Sequence, residues 1–206
     1  MQKGGTEKLM QPTNKRVINI TFLSFRMKPQ ETRLKIDSME FPKRIRLDSG
    51  LAKYIALFEY DTKRKVEICR ITDEIEKIIE ESGISYGTVL VQSLHTTSAV
   101  CVGEFEEYLC KDMINYINEH IPKSSNYQHN KTEESGCKNQ NADSHLAVAY
   151  HGQTSIVLPF WEKKIILGRF QDILIREHDG PHPRMGDERN RQCIVYVEGI
   201  EGNKSC

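Results

Sequence analysis

Three short stretches of this 206-residue chain carry side chains that can do chemistry. They are His95-Thr96-Thr97-Ser98, Tyr127-Gln128-His129 and Asn141-Ala142-Asp143-Ser144-His145. Imidazole and carboxylate are the groups that hold zinc or a similar divalent ion in water. None of the three histidines stands at a short helical spacing from another, so a site made from them must be assembled by the fold. His145 falls in the first turn of an expected helix, where free N–H groups and the helix dipole favour an anion. The hydroxyls of Thr96, Thr97 and Ser98 follow a strand, a corner that can hold a phosphate. A fourth stretch, Glu177-His178-Asp179-Gly180-Pro181-His182-Pro183-Arg184, gathers acids, histidines and an arginine around a turn. Arg184 there can grip a phosphate through two parallel hydrogen bonds. Each stretch also has a plain structural reading. Asp143 suits a helix cap, His145 a half-buried histidine, His129 an exposed loop histidine, and the Thr/Ser cluster a strand-to-turn cap. Asp112 reads as a solvated helix acid and Trp161 as a hairpin packing residue. A Gly-rich phosphate loop, a GxSxG elbow and an HExxH helix are all missing from the sequence.

The elements that must position these residues follow from pattern. The segments 54–58 and 66–69 are rich in β-formers around the turn-like Asp61-Thr62-Lys63-Arg64, which predicts a hairpin. A helix follows, with Asp73 as cap, Glu76 as the acid of a capping box and Gly83 as its stop. Strands are predicted at 88–91 and 99–102. A long helix over 104–120 is stopped by Pro122. Residues 123–140 form a polar loop. A short helix capped by Asp143 or Asn141 runs through Tyr150 to Gly152. Strands at 155–158, 165–167 and 193–197, with a stretch of β character at 170–177, complete the chain, with a turn at 161–164. Grouped in the order ββ-α-ββ-α-α-βββ, these elements favour an α+β class, one compact domain with a mainly antiparallel sheet and helices packed on it.

Bulk properties narrow the functional classes. The length suits one domain with an extension and is enough to bury a core. Formal net charge is +0, but residues 1–50 carry 11 Lys/Arg against 5 Asp/Glu while the remainder carries 18 against 24. We therefore separate a basic extension, 1–50, from a domain over 51–206. The extension invites three readings, a poorly ordered segment, an organelle-targeting segment or an added edge strand from the apolar run 17–23. Its acids weigh against targeting, and a cytoplasmic location is expected. The acidic balance of the domain argues against nucleic acid as a partner. No apolar run reaches the ~18 residues of a membrane-spanning helix, so a soluble protein with no membrane partner is expected. The six cysteines form no CxxC pair, which argues against a zinc knuckle. They read as reduced, small core residues.

Taken in order, several motifs resemble one family. His95-Thr96-Thr97-Ser98-Ala99, Glu104, Asp112, Tyr127 with His129, Asn141 to His145, Leu167-Gly168 with Gln171, and Glu177 with Asp179-Gly180-Pro181 and Arg184 look like the YjbQ-like family, also called the secondary thiamine-phosphate synthase family. The resemblance covers about residues 51–199. It implies an α+β fold assembled as a homotrimer, a cleft of histidines and acids that binds a metal or anion, and in some members thiamine phosphate synthesis. That reaction joins hydroxymethylpyrimidine diphosphate to thiazole phosphate and releases pyrophosphate. The chain departs from the family pattern at Gly103, Phe105, Arg169-Phe170 and His182-Pro183, and in a longer loop between His129 and Asn141.

The expectation is then a metal-assisted enzyme on a small phosphorylated metabolite, with thiamine phosphate synthesis as the named reaction. His95, His129 and His145 are the expected ligands of a divalent metal (zinc, magnesium or manganese). Asp143, Glu177 and His145 are the expected catalytic groups. Thr96, Thr97, Ser98, Gln171 and Arg184 are expected to hold phosphate. The metal would neutralise charge developing on the leaving group. Two alternatives stand beside this: a non-catalytic trimeric protein that binds a metal or phosphometabolite, and a metal-dependent phosphometabolite hydrolase.

Overall fold

Period-two burial organises most of the chain. β9 (Arg191–Glu201) turns Arg191, Cys193, Val195 and Val197 inward and leaves the residues between them half-exposed. β2 (Leu51–Tyr60) does the same with Ala52, Tyr54 and Ala56, and β4 (Ile84–Ser93) buries Val89 and Val91. This alternation fixes register, because a slip of one residue would turn every apolar side chain to water. With β1 (Lys43–Arg46), β6 (Ser155–Trp161) and β7 (Lys164–Ile165) these strands form an antiparallel six-stranded sheet, ordered β1-β2-β9-β4-β6-β7. A second antiparallel sheet has the order β3-β8-β5, from β3 (Glu67–Arg70), β8 (Asp172–Glu177) and β5 (Ser98–Gly103). The structure, a computed structural model, describes residues 40–46, 50–136, 138–183 and 190–202. The run 17–23 and Arg184 lie outside them. One compact unit spans Glu40–Cys206.

The core lies between the two sheets. Helix α1 (Thr72–Ser82) inserts Ile75 and Ile79 there, both fully buried, against Val89, Val100, Ile173 and Val195. Each such side chain contributes about 1.5–3 kcal/mol by leaving water. Helix α2 (Glu107–His120) buries only Ile117 and leaves Tyr108, Leu109 and Tyr116 exposed. A 3-10 turn (Gln128–Asn130) and α3 (Thr132–Ser135) lie in the polar segment read as loop, and α4 (Ala142–His151) follows. On the outward side of the six-stranded sheet, Val157, Trp161 and Ile200 are exposed, with Tyr86 edge-on to Trp161 at 4.6 Å. Among the described residues no helix is long and apolar enough to cross a membrane.

The α+β class and the antiparallel pairing agree with the sequence, while several local expectations do not. The expected 54–58/66–69 hairpin does not form. β2 pairs with β1 and β9, and β3 pairs with β8, so the segment between them crosses from one sheet to the other. Asp73 does not cap α1. The helix starts at Thr72 with Ile71 in the cap position, two residues earlier, and Asp73 is held by Arg70 at 2.6 Å. Glu76 accepts from Ile165 N and Lys164 Nζ instead of closing a capping box. Gly83 does end the helix, in the left-handed conformation with φ 70°. The sheet also begins before Leu51. β1 is exposed along its length and has no apolar alternation to betray it, and its charges blunt an open sheet edge. Arg44 and Arg46 both pair with Glu201. Of the described cysteines only Cys193 is fully buried, and its thiol is pushed by burial up to about 12.

Candidate functional site

Three pieces of chain meet at one end of the smaller sheet: the β4–β5 corner, the segment after β8, and the N-terminus of α4. Their connections are polar and buried. Arg191, at the first inward position of β9, donates to Glu177 Oε1 at 2.5 Å and to Thr97 Oγ1 at 2.9 Å. The same Glu177 oxygen accepts from Asp179 N at 2.7 Å. Ser98 shares a hydrogen bond with the Tyr60 hydroxyl at 2.8 Å. Thr97 O accepts from His178 N at 3.1 Å, and His178 O from Ser144 Oγ at 2.6 Å. Asn141 Nδ2 donates to Asp179 Oδ2 at 2.8 Å, which ties the start of α4 to the same network.

Lys65 completes this face. It forms an ion pair with Asp143, on the first turn of α4. It reaches that place because the loop after β2 is bolted to the loop after β8. Thr62 N donates to His182 O at 2.8 Å, His182 N to Thr62 Oγ1 at 2.8 Å, and Gly180 N to Lys65 O at 3.0 Å. Only glycine fits at 180, since a Cβ there would lie 2.0 Å from Arg64 O.

His129 and His145 stand edge to face, with ring centroids 5.0 Å apart. Together with Tyr127, Gln128, Ala142 and Leu146 they line a cavity of about 500 Å³. His129 Nε2 is buried with no partner in the protein. His145 also bonds to the Thr96 backbone. Burial, then the neighbouring His129, lower the pKa of His145, so its imidazole is neutral and basic at pH 7. Burial and Arg176 push His178 down to about 4. Burial raises the Glu177 carboxyl even though Arg191 pulls it the other way.

The predicted residues therefore separate. His129 and His145 come together as expected, and Asp143 lies on the same helix as His145. His95 is committed elsewhere, since its Nε2 accepts from Gln192 N at 2.8 Å. That lone pair is the one an ion would need. Among the described residues no three His, Cys, Asp or Glu side chains are grouped as a metal would require. The donor set present does not fit a three-histidine cage. Glu177 is fully buried against Arg191 and serves as framework. The phosphate set is dispersed as well. Thr97 is engaged by Arg191 and Ser98 by Tyr60. The Thr96 side chain is exposed, and Gln171 Oε1 closes a local turn by accepting from Gly168 N at 2.7 Å. Around the cleft, Lys65 pairs with Asp143, while the charge of Arg191 is met by Glu177. That balance is a poor host for a phosphate dianion.

Sequence reasoning missed Arg191 and Lys65, and it placed His178 in the fourth stretch without giving it a role. Arg191 was within reach: continuing the β9 alternation backwards from Cys193 by two residues puts an arginine on the core face. Lys65 had no local signal, because its role depends on a loop-to-loop contact.

A family model described as UPF0047 protein YjbQ-like matches residues 53–199. A UPF0047 protein of Archaeoglobus fulgidus is 36% identical over 123 residues, 60% of this chain and 90% of the relative. A UPF0047 protein of Methanothermobacter thermautotrophicus is 35% identical over 138 residues, 67% and 87% of the two chains. Among solved structures, a YbjQ-like protein of unknown function from Sulfolobus solfataricus superposes with TM-score 0.63 at 31% identity, covering 72% of this chain and 99% of that one. These relatives are described as UPF0047 proteins or as of unknown function, and none as a thiamine phosphate synthase or a metalloenzyme. That overturns the expected metal-assisted synthase together with its phosphometabolite-binding and hydrolase alternatives.

Proposed function

For this chain, which belongs to the UPF0047 YjbQ-like family, we propose a general acid–base site that takes a small uncharged polar molecule and moves a proton at His145. The observation that carries this reading is the His129–His145 pair on the wall of a cavity of about 500 Å³, with His129 Nε2 buried and unpartnered in the protein. A neutral imidazole at pH 7 accepts a proton without first losing one. Imidazolium formed on His145 is attracted by Asp143 and Asp179, both of which raise its pKa. An uncharged molecule suits the cleft because the local charges already pair among themselves.

Thermal unfolding with a panel sorted by charge tests the reading. Amides and polyols, amines, carboxylates and phosphates are presented separately to the wild type and to His145→Gln. We expect the uncharged class to raise the unfolding temperature of the wild type, as binding to the folded state must, and to lose that effect in the variant. A rise with phosphates or carboxylates alone would contradict it.

We also infer self-association through the outward face that carries Val157, Trp161 and Ile200, in keeping with the homotrimer that the resemblance implies. Sedimentation of the full chain reads this directly, and a monomeric mass is the contrary result.

A further inference from the structure

The imidazole cavity does not end at His145. Tyr127 and Leu146 also line a second cavity of about 450 Å³, whose other walls include Tyr116, His120, Tyr150 and His151. Tyr116 and His151 in turn line a third, of about 390 Å³, bounded by Leu109, Met113, Ile117 and Arg176. The three run together along the seam between α2 and α4. Tyr116 and His120 stack with centroids 3.9 Å apart, and His151 meets Tyr116 edge-on at 5.6 Å. Among the described residues no Asp, Glu, Lys or Arg lines the first two cavities. Charge enters only at the far end, with Asp112 and Arg176, and Arg176 is tied by a 2.7 Å bond to His151 O.

We propose that this groove is the second half of the site, and that it takes an uncharged ligand whose polar head meets His129 and His145 and whose flat aromatic body lies against Tyr127, Leu146 and Tyr116. The inference rests on the acid–base reading for its head group. Three features commit it to a small aromatic body. Three tyrosines and four histidines dominate the first two cavities, with Leu146, Ile121 and Ala142 as the aliphatic lining and Gln128 beside them. Rings stack or meet edge to face with such a lining. The groove is also continuous with the end that offers an unpartnered polar atom on its wall, His129 Nε2.

The probes are acetamide, benzamide and 4-phenylbenzamide, followed by NMR on the full-length chain. We expect each added ring to tighten binding, with 4-phenylbenzamide at least about tenfold tighter than benzamide in the wild type. Leu146→Asp and Tyr116→Ala should each cut that gain below about threefold while benzamide still perturbs the His129 and His145 resonances. Leu146 is half-buried and Tyr116 exposed, so both variants can fold. Equal affinity across the series, or a gain that survives Leu146→Asp, would overturn the groove. So would a groove covered by a second copy, seen as a fall in mass of Leu146→Asp with ligand binding unchanged. If 4-phenylbenzamide binds with its gain lost in Leu146→Asp, yet no amide perturbs the two imidazoles, the groove stands and the acid–base head fails.

Discussion

Arg191→Met is expected to destabilise the fold by roughly 3–5 kcal/mol in chemical denaturation at pH 7. Arg191 is 5% exposed and Glu177 0%. Removing the guanidinium leaves a carboxylate in the interior with its compensating charge gone, and the network that joins Thr97, Asp179 and β9 loses its hub. The sign of the pH dependence follows. Burial already raises the Glu177 carboxyl, and Arg191 opposes that rise. Without Arg191 the carboxyl moves further up. A carboxyl raised in the folded state contributes stability that is present at low pH and lost as pH rises through its folded value. The variant should therefore recover part of its loss on going from pH 7 to pH 5. Adding Glu177→Leu should recover more, because a matched apolar pair leaves no buried charge. A loss below about 1 kcal/mol in Arg191→Met would mean that the ion pair is not a structural hub.

The second large effect is acid sensitivity carried by His178. Its imidazole is 3% exposed, and both ring nitrogens are without protein partners. Unfolded, it titrates near 6.5, and folded at about 4. Between those values the unfolded chain binds more protons, so stability falls as pH drops from 6.5 to 4. The gap of about 2.5 in pKa corresponds to ~3 kcal/mol. Glu177 acts in the opposite sense over its own range, so the test is the difference between wild type and His178→Gln across the same pH series. The variant should lose about 3 kcal/mol less than the wild type between pH 6.5 and 4. Parallel curves for the two proteins would remove His178 as the cause.

Much of the architecture was legible because it is written in local periodicity. The alternation of β9, the apolar face of α1 and the stop at Gly83 need no knowledge of the partner element. What failed was partner choice. The segments 54–58 and 66–69 look like a hairpin because both are strands with a turn between them. Burial of Ala52, Tyr54 and Ala56 against β9 outweighs that local option. β1 was invisible since an exposed basic edge strand has no apolar pattern. At the site, residue type alone could not tell a histidine whose nitrogen meets a cavity from one that serves the backbone. His129 and His95 are alike in sequence terms, yet Gln192 N, 97 positions away in the chain, claims the second. Lys65 and Asp143, 78 positions apart, likewise become partners only through loop docking.

The most direct test of the central claim is 15N NMR of the His129 and His145 imidazoles from about pH 5 to 8 in the ligand-free chain. The account predicts that His145 titrates below 6.5, is neutral at pH 7, and moves upward in His129→Gln as the neighbouring imidazole is removed. A His145 that titrates at or above 6.5 and ignores the loss of His129 would contradict it, because the pair would then be neither coupled nor poised to accept a proton.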